Sequence, residues 1–355
     1  MTSITINENL TIGDESKVFI IAEAGVNHNG SVKIAKELID AAKFIGADAV
    51  KFQSFIADEI ILKKAPKAKY HIETTGSDTE QTWHELLQSE EISVDMHEEI
   101  FNYAKKSEIL CLSTPYDKIS ADLISEMGTE IIKVASTDNN NIPFLKYLTT
   151  KNIPLILSTA MTEMEDVDLS VKTILETGFK DLMLMQCTGS YPAPHEDANL
   201  NVIRAYKERF NLVTGYSDHV DNEIVALGSI AMGAKIYERH LTTDKNLPGP
   251  DHRASSEPKE FKSLINKIRQ LEESLGDGIR TIYPSEILNK PKLKKYIVTI
   301  EDIKQGDQFS IKNISTKRTG GIGLEPKFFE NLLGKKSPIA IDKDTPVNEL
   351  ILSSI

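Results

Sequence analysis

Cysteine is nearly absent from this chain: Cys111 and Cys187 are the only two in 355 residues. Two thiols so far apart exclude a disulfide framework and a cysteine-built zinc cluster. Both lie in apolar runs, ILCLS and LMQCT, which predicts buried free thiols and fits a reducing cytoplasm. Long apolar runs are missing too, so no segment reads as a membrane span. Met1 to Asp14 lacks the basic-then-apolar order of a signal peptide. Basic excess is also missing. With 41 Lys and Arg against 53 Asp and Glu, the formal charge is −12, which argues against a nucleic acid or a membrane as the main partner. A small anionic substrate is still compatible, because a few lysines can dominate a buried pocket.

What is present is an alternation. Short β-rich apolar runs at 18–24, 49–53, 110–114, 131–135, 154–158, 182–187, 212–216 and 235–238 read as strands. Between them, stretches such as 32–45, 143–150, 167–177 and 222–232 carry apolar residues three and four apart, the helical spacing. Gly46, Gly128, Gly178 and Gly233 stand where C-terminal helix caps belong. Roughly eight strand–helix units in about 280 residues match a TIM (β/α)8 barrel. A doubly wound open sheet is the rival, but polar residues close nearly every strand instead of gathering at one crevice. The domain reading is a barrel over 1–282, a linker over 283–292 holding Pro284 and Pro291, and a small turn-rich C-terminal domain over 293–355. The long connection 55–91 breaks the rhythm and reads as a lid, a subunit contact or a mobile segment.

The strand ends carry the chemistry. They present Glu23 with Asn27 and His28, Lys51 and Gln53, Ser113 and Thr114, and Lys133 and Ser136. Ser158 and Thr159, Thr188 and Tyr191, Ser217 with Asp218 and His219, and Glu238 with Arg239 and His240 follow. Each alone reads as a turn or cap; together they occupy the face where this fold assembles active sites. Lys51 and Lys133 follow apolar runs and would enter the barrel mouth. An ammonium is costly to bury without a partner, so the two lysines beside hydroxyls suit a doubly charged anion such as a phosphate or carboxylate. His219 and His240 fall on adjacent strands. They read either as ligands of one divalent metal or as a hydrogen-bonded structural pair.

The segments IAEAGVNHNGS, ADAVKFQ, LSTPYD, KVAS, ILSTAM, QCTGSYPAPHEDANL, GYSDH and YERHLTTDKNLPGPDH together resemble the N-acetylneuraminate (sialic acid) synthase family. The tail KNISTKRTGGIGLEP resembles that family's antifreeze-like (SAF) C-terminal domain. The resemblance implies condensation of phosphoenolpyruvate with an N-acylated mannose-type sugar and water, giving a nine-carbon 2-keto acid and phosphate. It implies a divalent metal, Mn2+ first with Mg2+ or Co2+ as alternatives, on His219 and His240. It also implies a homodimer whose C-terminal domains cover the partners' barrels, in keeping with the cytoplasmic location that the two cysteines suggest. Position by position, Lys51, Gln53, Thr114, Lys133, Ser136, Ser158 and Ser217 match phosphoenolpyruvate contacts, and Glu23 the carboxylate between the two substrates. Tyr191, Glu238 and Asp251 match sugar or metal-shell positions. Thr188 and Asp138 belong to the same substrate set, and Arg318 matches an arginine reaching the partner's sugar.

The chain also departs from the commonest pattern. Thr137 and Asp138 stand where many members have Gly-Glu, and Asp138 is one methylene shorter. Gly189 replaces an asparagine found in some members, and Thr319 replaces the proline after the arginine. The sugar stays open among precursors of N-acetylneuraminate, legionaminate and pseudaminate, with APKAKYHIETTG closer to the first two. Two readings of other kinds compete: a class I aldolase using Lys133 or Lys51 as an imine-forming nucleophile, and an inert barrel carrying a binding module.

Overall fold

The computed structural model describes residues 2–77 and 80–353. They form two compact units, Met1–Gly276 and Asp277–Ile355.

The first unit opens with a hairpin, β1 (Ser3–Asn7) and β2 (Leu10–Gly13), which stands before the first expected strand at 18–24. Ile4 and Ile12 face each other across it and join the barrel floor with Phe19, Ile21, Ala49 and Leu112. Eight parallel strands follow: β3 (Phe19–Gly25), β4 (Ala49–Ser54), β5 (Leu110–Pro115), β6 (Ile132–Val134), β7 (Leu155–Ser158), β8 (Leu182–Cys187), β9 (Val213–Asp218) and β10 (Ile236–His240). They close in sequence order, β10 pairing with β3. The expected barrel is the observed fold.

Helices wrap it for local reasons. Ser31 caps Val32–Ile45 by accepting from Ile34 N, and Gly46 ends it in the left-handed region at φ 83°, which favours glycine. Between those caps Ala35, Leu38, Ile39 and Ala42 form one buried stripe against the sheet. Burying each such Leu or Ile side chain contributes about 1.5–3 kcal/mol. The connection from β4 to β5 is not structureless. It holds helices Ala57–Ile60, Lys69–Thr75 and Trp83–Glu90 before the longer Val94–Lys106.

The second unit begins with short helices Pro284–Ile287 and Lys290–Leu293, over the stretch expected to be a linker. An antiparallel pair, β11 (Lys295–Thr299) and β12 (Ile314–Arg318), follows. Its core gathers Ile297, Phe309, Ile314, Leu324, Leu332 and Val347.

Candidate active site

The strand period decides which side chains meet. Neighbouring side chains on a strand face opposite ways. In β3, Phe19 and Ile21 pack in the barrel interior, while Ile20, Ala22 and Ala24 pack among the helices. Glu23 therefore follows Phe19 and Ile21 inward. The same parity carries Lys51 above Ala49, Thr114 above Leu112 and Lys133 above Ile131. It likewise carries Ser158 above Ile156, Cys187 above Met185, Ser217 above Val213, and Glu238 and His240 above Ile236. The lower interior is apolar and the upper interior is polar, so the expected cluster at the C-terminal face is formed.

Its centre is a compensated charge network. Lys51 Nζ lies 2.7 Å from Glu23 Oε2 and 3.8 Å from Glu238 Oε2, and donates to Thr114 Oγ1 at 2.8 Å. Lys133 Nζ donates to Ser158 Oγ at 2.5 Å and sits 3.5 Å from Glu238 Oε1. Ser217 Oγ donates to Glu238 Oε1 at 2.9 Å, and Gln53 Nε2 to Glu23 Oε1 at 3.2 Å. All four charged groups are at most 5% exposed. Burial alone would raise Glu238, but Lys133 and Lys51 bring it down to about 2. Burial outweighs Lys51 at Glu23 and raises it. Lys51 is raised, since Glu23 and Glu238 overcome the burial that would lower it. Lys133 is lowered by burial, only partly offset by Glu238.

Beside this network stand the histidines, with ring centroids 5.5 Å apart. Tyr191 stacks near His219 at 4.1 Å and meets His240 edge-on at 5.8 Å. His219 Nδ1 is 2.7 Å from the Thr188 carbonyl and 3.7 Å from Cys187 Sγ. Burial opposes the charged form of His219, yet Cys187 and the Thr188 carbonyl raise it to about 9. Burial lowers His240 to about 4 despite Asp251. Its Nδ1 is buried without a hydrogen bond, 3.7 Å from Asp251 Oδ2, and Glu238 Oε2 also lacks one. Two imidazoles and nearby carboxylates are a donor set for a divalent ion with mixed nitrogen and oxygen ligands. Among the described residues no three His, Cys, Asp or Glu side chains form a ready cluster. An ion here would therefore take further ligands from water or substrate, as catalytic sites do, and would displace the proton of His219.

The remaining expected residues divide. Ser136 Oγ accepts from Ala160 N at 2.9 Å, and the buried Asp138 accepts from Asn141 Nδ2 at 2.8 Å. Thr188 spends its hydroxyl on the Asp197 carbonyl at 2.9 Å, so it serves His219 through its own carbonyl. Arg318 belongs to the second unit, where it is exposed and donates from Nε to the Leu293 carbonyl at 3.2 Å. Other strand-end residues prove structural. Asn27 bridges to Leu241 O and Ser255 Oγ, while Ser113 pairs with Ser54. Arg239 and Asp218 form a buried ion pair at 3.0 Å, supported by Tyr237 and Ser256. Cys187, expected only as a buried thiol, stands inward beside His219. Parity along 182–187 was the signal that could have placed it there. A Cβ on Gly189 would lie 2.9 Å from Met161 Cγ, so Met161 takes up space that a larger residue at 189 would need.

Comparison with known proteins follows the same outline. The NeuB family model matches residues 38–280. The N,N'-diacetyllegionaminic acid synthase of Campylobacter jejuni is 41% identical over 94% of this chain and 99% of that protein. The mouse N-acetylneuraminate-9-phosphate synthase is 33% identical over 95% and 93%. Among solved structures, an N-acetylneuraminic acid synthetase from Leptospira borgpetersenii in complex with citrate superimposes with a TM-score of 0.71. It is 32% identical, and the match covers 80% of this chain and 94% of that one.

Proposed function

The chain belongs to the NeuB family, and from that premise we propose that it is a nonulosonic acid synthase joining phosphoenolpyruvate to an N-acylated amino sugar. The observation that carries the reading is the pair of buried lysines, held by carboxylates and hydroxyls at the mouth of the barrel. Two ammonium groups held ready at one polar mouth, sharing the single carboxylate of Glu238, suit a dianionic substrate.

In this reading Lys51 and Lys133, with Thr114, Ser158 and Ser217, bind the phosphate and carboxylate of phosphoenolpyruvate. The enol carbon attacks the sugar aldehyde and forms the new C–C bond. Water adds at C2 of the former enol phosphate, and the resulting hemiketal phosphate loses phosphate by C–O cleavage. The two ammonium groups stabilise the departing charge. Glu23, between Lys51 and Gln53, orients the sugar and relays the proton that the aldehyde oxygen gains. His219 and His240 would hold the divalent ion, which supplies Lewis-acid polarisation of the aldehyde. Phosphoenolpyruvate already carries the nucleophilic carbon, so neither lysine forms an imine.

For the sugar, the 41% identity to a diacetyllegionaminic acid synthase, against 33% to an N-acetylneuraminate-9-phosphate synthase, favours a 2,4-diacetamido-2,4,6-trideoxymannose. N-acetylmannosamine is the second reading. The resemblance also supports a homodimer in which Arg318 reaches the partner's sugar. Phosphate release should be measured with phosphoenolpyruvate and the precursors of legionaminate, neuraminate and pseudaminate, before and after chelation. Release with one of the first two, lost on chelation and restored by Mn2+, is expected. No release with any sugar overturns the function, and full activity after chelation overturns the metal.

A further inference from the structure

The connection between β4 and β5 carries a buried carboxyl that the reaction above leaves unused. Helix Trp83–Glu90 is fixed at its start by the Thr82–Glu85 capping box. Just past its end, Glu91 Oε1 accepts from Ala57 N at 2.6 Å. Its last turn rests on the loop that follows β3, for a Cβ at Gly30 would stand 3.4 Å from Ser89 O. That loop is tied in turn to the segment after β10. Asn29 Nδ2 donates to Pro248 O at 2.9 Å, and Asn29 Oδ1 lies 3.2 Å from His252 Nε2. Residue 90 is thereby brought to the Asp251 side of the barrel mouth.

Glu91 is spent on the fold, but Glu90 is not. The Glu90 side chain is 7% exposed and has no hydrogen bond to any described residue. Its charged neighbours are Asp251 and Lys67. Burial and Asp251 push the carboxyl up to about 8 against the pull of Lys67. Lys67 is itself buried and donates to the Gly76 carbonyl at 3.1 Å. A buried polar group without a partner weakens the fold and calls for a ligand or water to complete it. The acidic group that acts on it is Asp251, which sits beside His240. A sugar hydroxyl suits such a pair, because it can accept from one carboxyl and donate to the other.

We propose that Glu90 is a specificity residue of the sugar half of the site, gripping a hydroxyl of the open-chain sugar together with Asp251. The inference rests on the synthase reading. Its test is steady-state phosphate release by wild type, Glu90→Gln and Glu90→Leu, varying each substrate at saturation of the other, with melting temperatures alongside. Glu90→Leu should raise the sugar KM by about tenfold or more, the loss of one buried hydrogen bond to a charged or acidic group, and leave the phosphoenolpyruvate KM unchanged. It should also melt higher than wild type, because the unpaired carboxyl is gone. Glu90→Gln should stay close to wild type in sugar KM. An unshifted sugar KM in active Glu90→Leu, or an equal rise in both KM values, overturns this inference alone. A wild type that releases no phosphate with any of the sugars overturns the synthase reading and this inference with it.

Discussion

Replacing Lys51 by Met removes one ammonium from the centre of the site while keeping the length of the side chain. At an effective dielectric of about 20, the 2.7 Å contact with Glu23 is worth about 6 kcal/mol of attraction and the 3.8 Å contact with Glu238 about 4 kcal/mol. Desolvation cancels much of that, and breaking a buried pair from one side costs about 3–5 kcal/mol. The cost should depend on pH. Glu23 is already raised by burial, and without Lys51 it rises further. A carboxyl whose folded value lies above its unfolded value stabilises at low pH, and that stability is lost as pH rises through the folded value. Urea unfolding should therefore show Lys51→Met with a smaller deficit near pH 5, where only the Glu238 contact is lost, than at pH 8, where Glu23 is stranded as well. Adding Glu23→Gln removes the stranded charge, so the double variant should recover most of the stability at pH 8. It should not recover phosphate release, because the ammonium for the substrate anion and the Glu23 carboxyl that relays the proton are both missing. A deficit equal at both pH values, or a double variant as weak as the single, would refute the pairing argument.

Two other outcomes follow from particular residues. His28 is fully buried and lowered from 6.5 to about 4 by burial first and by His97 and His252 next. The unfolded chain thus binds more protons between those values, and stability falls as pH drops through that window, by roughly 3 kcal/mol if His28 acts alone; thermal melts of wild type and His28→Gln should converge in pH dependence below pH 6 if the histidine is not responsible. If Arg318 completes the partner's site, mixing inactive Arg318→Ala with inactive His240→Ala and allowing subunits to exchange should restore activity in about a quarter of sites. Silence of the exchanged mixture, with mass-verified mixed dimers, would count against that arrangement.

Much of the architecture was legible because a strand has a period of two. Once 18–24 is a strand with Phe19 inside, Glu23 has to be inside as well, and the same parity places Lys51, Lys133, Ser217 and Glu238. The same period separates Glu238 from Arg239 and Ser217 from Asp218, though the sequence reading grouped them at one strand end. The opening hairpin was missed because Ile4 and Ile12 are too few to form a strand signal. Their meaning comes from the barrel floor they cover. Glu90 and Glu91 differ in nothing that a sequence displays: one ties a helix down and the other stands buried without a hydrogen bond.

The charge balance of the site explains how a chain of net charge −12 can prepare a pocket for an anion. Two buried ammonium groups with no counter-charge would lose their protons or unfold the barrel mouth. Glu238 answers both lysines, and Glu23 answers Lys51. In the proposed reaction these carboxylates would stand in for the substrate before it arrives. A dianion bound there would give the lysines a second partner without their having to be assembled, so little reorganisation would accompany binding. The same arrangement frees part of the hold on Glu23, whose Oε2 has no hydrogen bond besides its ion pair with Lys51. In the proposed reaction, the group assigned to handle a proton would then be the one whose grip is loosened when the substrate binds.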